Sequence, residues 1–599
     1  MMRTLISTRC PARGGALGVA LLLITATLSA AAAAPTAERL TASPISARAN
    51  WDYQLDRQGR LWVAYYDADK LLHVRDPAGA QRSLVPADRG QAPSGLEMAP
   101  FADDVAVLWR DKVPSKGIYL AAAGRTDAAP LSLGGKTEPL ARVQALASGG
   151  RLHVLWYGEA KVADAADPYH LYYRQVDEKT FEPSEVERLM PGIYPLLTTD
   201  ARGAVMAFSW LRTESPKRIV ARFRAPGAGA FGDPVTVAEV PDITPIFRAF
   251  RSGSRWFVLW HAQYGEKKDD LLLEGAYSDD EGASWQRFRF KELRGFDVAS
   301  LDIAADDDGH ILIALSGNPI RRRSEKHNVH LARSVDRGAS WTVSRLRPAG
   351  LLDGFHAKNP SVAFGPEAGQ VLVVWEDWRN IRSGLYASFS SDYGATWTSD
   401  NVPLPHAANA NVGLREDIGS VWAQGGRFNV IAEQFVDDSL QEKNLVRLQF
   451  TANDLAAAKT VAADDGSPPA DAAAKKPSEA YLRQRVAAFW KAMVDGDYAA
   501  TYQFQDPFFR ARNTSIAYQY RMGRIQYHGY SIDDVRIEGP RATVKSKVKA
   551  EIKPFRASTG KTVVRPETEV PVTATWLWID GDWYREFYSE SHDLRYTKY

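Results

Sequence analysis

The 599-residue sequence has one cysteine, Cys10, so no intrachain disulfide can form and no thiolate metal cluster exists. Neither sign of charge dominates. The 74 Lys plus Arg and 72 Asp plus Glu leave a formal net charge of +2, which excludes a dedicated polycation for nucleic acid and an acidic solvating tail. Long helical periodicity is missing from the first three quarters of the chain. The composition is nonetheless that of a folded protein, 45% hydrophobic and 24% charged, and the length asks for several domains or one large repetitive domain plus extras. The 17 Trp are about twice ordinary usage and point to β-rich repeats with an aromatic at a fixed place.

The N-terminus reads as an address. Arg3, Arg9 and Arg13 precede the apolar run Ala16 to Leu28, and small residues follow from Ser29 to Ala34. This is the layout of a secretory signal over residues 1–34, with cleavage expected near Ala31 or Ala33. The run is shorter than the ~20 residues of a membrane span. The mature chain is therefore expected to be secreted or periplasmic, without a membrane span and, once Cys10 has left, held together by burial alone.

A repeat occupies most of what remains. Ser278-x-Asp280-x-Gly282-x-x-Trp285, Ser334-x-Asp336-x-Gly338-x-x-Trp341 and Ser390-x-Asp392-x-Gly394-x-x-Trp397 align without gaps at a spacing of 56 residues. A constant period in this range signals a propeller or solenoid. The octet suits a hairpin turn: the carboxylate takes backbone N–H groups, Gly permits positive φ, and Trp packs beneath. Each octet closes a longer unit of short strands. Counting second-strand segments (Leu61–Tyr65, Val105–Trp109, Leu152–Trp156, Ala204–Trp210, Trp256–Trp260, Ile311–Leu315, Val371–Trp375 and Phe428–Ala432) gives eight units across residues 46–451. A radial β-propeller of four-stranded blades is the economical closure.

The octet is similar to the Asp-box, or BNR repeat, of the sialidase-like β-propellers, and VVWEDWRN followed by LYASFSSDYGATW resembles their repeat. The resemblance implies a mainly β propeller in which six blades are usual, so that six or seven stand beside the count of eight. It also implies glycan-directed activity: an exo-sialidase-type glycoside hydrolase, or a non-catalytic propeller that binds a glycan or a protein. A sialidase needs an Arg cluster for the sugar carboxylate, a Tyr activated by Glu, and an Asp acid/base. The Arg-Ile-Pro type motif expected near the start of such a propeller is absent, and no Tyr can be placed by motif.

Topology sorts the candidates. The octets are third-to-fourth strand turns and lie on one face, as structural glue. The opposite face collects the second-to-third loops, among them Arg110 to Lys112, His261 to Asp270, Asn318 to Asn328, Glu376 to Ser383 and Glu433 to Lys443. First-strand entries add Asp297, His356, Lys358, Asn359, Arg415, Glu416 and Asp417. On this rim Arg110, Arg212, Arg321, Arg379 and Arg415 are placed to grip a carboxylate bidentately, and Asp377, Arg379, Arg321 and Arg415 are the candidate site residues. The alternative for Asp377 and Arg379, a Trp-x-Asp-x-Arg pair, is a local salt bridge. No metal-ligand spacing occurs, and no cofactor is implied.

Residues 452–477, rich in Ala, Asp, Pro and Lys, read as a linker. Ser478 is placed to cap a helix whose apolar stripe is Leu482, Val486, Phe489, Trp490 and Met493. Ala542 to Ile552 alternate apolar and polar, and Asp580-Gly581 marks a hairpin. Helices followed by a sheet ending in WLWIDGDWYREF resemble the nuclear-transport-factor-like α+β cone over residues 478–599. That resemblance implies a ligand-binding or assembly module. Tyr518, Tyr520, Tyr527, His528 and Asp506 are candidates to line its interior; a packed core or dimer face is the alternative.

Overall fold

The computed structural model describes residues 36–599 apart from 85–92, 112–116, 126–128, 135–138, 160–167, 265–269, 321–325, 399–401, 405–409, 417, 456–476, 557–559, 561 and 590–591. The expected signal, the core of the linker, Arg321 and Asp417 lie outside the described residues. The protein is mainly β, with nine antiparallel sheets among the described residues. Eight follow one another from Trp51 to Phe450 in a propeller-like succession, seven of four strands and one of six. All eight second-strand segments read from the sequence are strands, and each is the second strand of its own sheet: Leu61–Tyr66, Asp104–Asp111, Arg151–Glu159, Val205–Leu211, Arg255–Tyr264, Ile311–Pro319, Val371–Asn380 and Arg427–Phe435. Their near-continuous burial follows from sheets covered on both faces.

The sequence reading starts the repeat at residue 46, and the structure moves that boundary. Thr36–Arg39 and Ile45–Ser46 pair antiparallel with the last strand of the eighth sheet, Thr36 opposite Gln449 and Ile45 opposite Lys443. The N-terminal segment thus supplies the outer strand of the sheet that comes last in sequence. The eighth sheet meets the first through one apolar cluster: Trp51, Tyr53, Leu61 and Val63 pack with Trp422, Ile431 and Leu445, and the Tyr53 and Trp422 rings stack at 5.0 Å.

A second difference concerns Glu376 to Ser383, read as a loop. Strands Val371–Asn380 and Arg382–Ser390 instead run on to a tight hairpin, with Asn380 opposite Arg382 and Ile381 at φ 68°. Trp378 and Ile381 are buried, and that burial holds the tip in register where polar composition alone suggested a loop.

The octets form the turns between third and fourth strands. In the fifth sheet the Asp280 carboxylate accepts from Ser278 Oγ at 2.8 Å, Ser284 N at 2.9 Å and Ser284 Oγ at 2.6 Å. The Trp285 indole donates to the Gly282 carbonyl at 3.1 Å. Gly282 sits at φ 91° with Met206 against it, a position that forbids a Cβ. Ser334–Trp341 and Ser390–Trp397 repeat the bonding around Asp336 and Asp392.

The C-terminal region has its own core. Helix Glu479–Asp495 is capped by Ser478, which accepts from Tyr481 N, and ends at Gly496 in the left-handed region. Its buried stripe Leu482, Val486, Phe489, Trp490 and Met493 packs on Ala542, Val544, Val548, Trp576 and Trp583 of the ninth sheet. Asp580 and Gly581, at φ 51° and 78°, make the expected hairpin turn. This region rests on the loop face of the repeat. Phe508, Leu577, Ile579 and Tyr599 bury against Phe355, Trp378, Ile381 and Leu440, and Arg541 lies 4.6 Å over the Phe355 ring.

Candidate functional site

The inner strands of the eight sheets carry one equivalent rung, occupied by Asp52, Glu97, Gln144, Leu196, Arg248, Asp302, Ser361 and Ser420. Register defines it: Asp52 faces Ala64, Glu97 faces Leu108, Gln144 faces Leu155, Arg248 faces Leu259, Asp302 faces Ala314 and Ser361 faces Val374. Several of these side chains reach to the next sheet. Asp52 accepts from Met98 N at 2.7 Å, Gln144 from Leu197 N at 2.6 Å and Asp302 from Val362 N at 3.0 Å, while the Ser361 hydroxyl accepts from Ser420 N at 2.8 Å. Polar residues that look free to bind a ligand are thus partly inter-sheet staples. Asp302 shows what such a position costs: burial pushes its carboxyl up to about 6, against the backbone and hydroxyl donors that hold the ionised form.

Beside this rung lies a cavity of about 380 Å³ lined by strand residues of five consecutive sheets, the second to the sixth, among them Glu97, Trp109, Arg110 and Arg248, together with Asn50, Arg415 and Glu416 outside the strands. The inner strands break register at the same level, between Ser94 and Leu96, Ala141 and Gln144, Ile193 and Leu196, Ile243 and Phe247, Val298 and Ser300, and Lys358 and Ser361. Such bulges re-aim side chains at a rim. Arg110, which the sequence reading placed on this rim, joins Arg415 here, as does Arg248 on the inner rung, which it did not single out. Burial pulls the Arg110 guanidinium below its ordinary value, a sign of a site with little water.

The sequence-derived candidates separate. Arg415 lines the cavity and lies 5.7 Å over the Trp51 ring. Arg379 does not join it: its guanidinium donates to Asp377 at 2.7 Å and stacks 3.9 Å from the Tyr386 ring. Asp377 is fully buried, accepts also from the Trp375 indole at 3.0 Å, and pairs with buried Arg347 at 3.1 Å. Arg379 and the other donors hold its carboxyl below the usual range although burial opposes them. The local salt bridge weighed for this pair is its observed arrangement. Its neighbour Glu376 behaves in the opposite way. Glu376 accepts from the Trp378 indole at 2.6 Å and Asn359 at 3.4 Å, and burial, with a smaller contribution from Glu433, raises its carboxyl. Glu433 accepts from the Trp51 indole and from Lys443, each at 2.6 Å. Trp51 therefore joins this carboxylate pair to Arg415 and the cavity.

With that geometry in view, comparison with known proteins adds little. No family model matches the chain, and no curated protein matches it. Solved structures similar to it include the polysaccharide lyase Uly1 at 10% identity and TM-score 0.38, covering 60% of this chain and 90% of that one. A leech intramolecular trans-sialidase complexed with 2,7-anhydro-Neu5Ac has 10% identity and TM-score 0.30, covering 69% and 93%. A xylan β-1,4-xylosidase from Bacillus halodurans has 10% identity and TM-score 0.25, covering 60% and 90%. Scores this low decide nothing about this chain's site.

A Tyr–Glu pair does exist, between Tyr264 and Glu274, but Glu274 is fully buried and also serves Trp260, Arg287 and Arg289. The pair sits on second and third strands, away from the cavity lining, and burial and Glu274 both raise the Tyr264 phenol. In the C-terminal region Tyr520 is 92% exposed and His528 is exposed. Asp506 is committed to Phe509 N and Phe587 N at 2.9 and 2.7 Å, and only Tyr518 and Tyr527 turn inward. Among the described residues no helix is long and apolar enough to cross a membrane.

Proposed function

We propose that the protein is an exported, sialidase-like propeller of eight blades that binds a glycan carrying an acidic group in its central cavity. The observation behind this reading is the cavity lining: Arg110, Arg248 and Arg415 beside Trp109, with Glu97, Gln144 and Glu416 as partners for hydroxyls. Guanidinium forks suit a carboxylate and an indole face suits a sugar ring. The C-terminal region, read as a nuclear-transport-factor-like cone, packs beside the mouth as an accessory module. A dimer through that module would have to use a face other than Phe508, Leu577 and Ile579, which the repeat already covers.

A second reading, glycoside hydrolysis, draws on Glu376, whose carboxyl is raised by burial and by neighbouring Glu433. A raised carboxyl beside a second carboxylate suits a general acid. Screening a glycan array and then titrating the acidic hits against Arg415→Ala and Arg110→Ala tests binding: each variant should weaken affinity roughly 10- to 100-fold, as for a lost charge-assisted hydrogen bond, with unchanged melting. Equal binding of neutral and acidic glycans defeats the proposal. Turnover of aryl sialosides that Glu376→Gln abolishes would establish the second reading.

A further inference from the structure

The C-terminal core contains a guanidinium, that of Arg585, in salt-bridge contact with no carboxylate among the described residues. Arg585 lies on the last strand of the ninth sheet, opposite Trp576, with its guanidinium 5.3 Å from the Phe489 ring. Among the described residues no carboxylate forms an ion pair with it, and its Nε has no hydrogen-bond acceptor. Asp506, the acid that favours its charge, already spends both oxygens on backbone N–H groups. Burial pulls the arginine below its ordinary value, and the groups that favour its charge are the phenols of Tyr518 and Tyr527 ahead of Asp506. The Nε is sealed from water, and a buried polar atom without a partner is costly.

A second orphan stands beside it. Gln505 pairs with Arg585 through the backbone, is 1% exposed, and its Oε1 has no donor. Its amide reaches the Tyr518 hydroxyl at 3.4 Å, and that hydroxyl meets Thr501 at 3.1 Å. An acceptor-seeking guanidinium and a donor-seeking carbonyl therefore adjoin, with Phe489, Trp490 and Tyr527 around them. We propose that the C-terminal domain binds a small carboxylic acid that carries an adjacent hydroxyl and an apolar tail. The carboxylate accepts from Arg585, the hydroxyl donates to Gln505 Oε1, and the tail lies among the aromatic rings. This site is separate from the propeller cavity and does not depend on a glycan.

Mandelate, phenylacetate and mandelamide distinguish the parts of the claim by titration calorimetry on the full chain. Mandelate should bind saturably, phenylacetate about tenfold more weakly, and mandelamide, which lacks the negative charge, more weakly still. Gln505→Leu should erase the preference for mandelate over phenylacetate, and Arg585→Met should abolish carboxylate binding. If Arg585→Met does not fold, the Gln505→Leu and mandelamide comparisons still decide. Absence of mandelate binding, equal binding of mandelate and mandelamide, or mandelate binding retained in Arg585→Met overturns the proposal.

Discussion

The turn carboxylates and the buried carboxylates of this protein are the same chemical groups under opposite influences. Asp280, Asp336 and Asp392 sit on the outer turns, each held by backbone and hydroxyl donors, and all three are shifted down, Asp392 to about 2. Asp302 and Asp506 also accept backbone N–H groups, yet burial dominates and raises each to about 6. Hydrogen bonds lower the carboxyl in both places, but in the interior the cost of desolvation outweighs them. The difference separates carboxylates that stabilise turns at neutral pH from those that burden the fold when ionised. Asp377 joins the first class despite its burial, because Arg347 and Arg379 pair with it directly.

The largest expected effect tests that exception. Arg347→Met leaves Asp377 buried with one cation fewer, and should cost about 3–5 kcal/mol in urea unfolding. A loss below 1 kcal/mol would mean that Arg379 alone compensates the charge.

The next contrast uses acid. The folded pKa of Asp302 lies above its ordinary 3.8, so its ionisation opposes folding: the penalty is absent below about pH 4 and complete above about 6. Asp392 is depressed, so its stabilisation is complete above about pH 4 and is lost as pH falls through about 2. Urea midpoints at pH 4 and 7 should show Asp302→Asn removing about 2 kcal/mol of pH dependence in that window. Asp392→Asn should leave that window unchanged and converge with the parent only near pH 2. Identical profiles for both variants would erase the distinction drawn here.

The smallest effect lies at the rim. Arg382 bridges Asp438 at 2.6 Å and Asp580 across the contact between the repeat and the C-terminal region, and Asp580 is half exposed. Asp580→Ala should cost no more than about 1 kcal/mol and should leave the apolar contact of Trp378 and Ile381 with Leu577 intact, as read by protease resistance of the linker-to-core junction.

How much of this was legible follows the range of each interaction. The second strands, the octet turns, the Ser478 cap and the Asp580-Gly581 hairpin are written in consecutive residues, and the sequence reading placed them all. The pairing of Thr36–Arg39 with a strand some 400 residues later leaves no local mark, since four residues without alternation look like a tail. The hairpin at Ile381 was misread because its anchor, the face formed by Leu577 and Ile579, comes from another part of the chain. At the site, Arg415 was placed by topology, whereas Arg379 was lost to a carboxylate two residues away. Arg248 gains interest only when bulges in several sheets fall at a common level, and Glu376 only when burial raises its carboxyl while that of Asp377 next to it is lowered.

The outer strand of the eighth sheet carries a consequence for biosynthesis. Residues 36–39 leave the ribosome ahead of the rest of the repeat, and their partner, Val446 to Gln449, is made last within it. Seven sheets can assemble as they emerge, each on its predecessor, while the leading segment waits with its amides unpaired. Closure is therefore a single late event over the longest loop in the repeat, and long-range pairing of that kind is slow. Until it happens the growing chain displays two open edges, the kind of surface that recruits other strands. A succession of sheets fastened in this way is most vulnerable to aggregation just before it is complete.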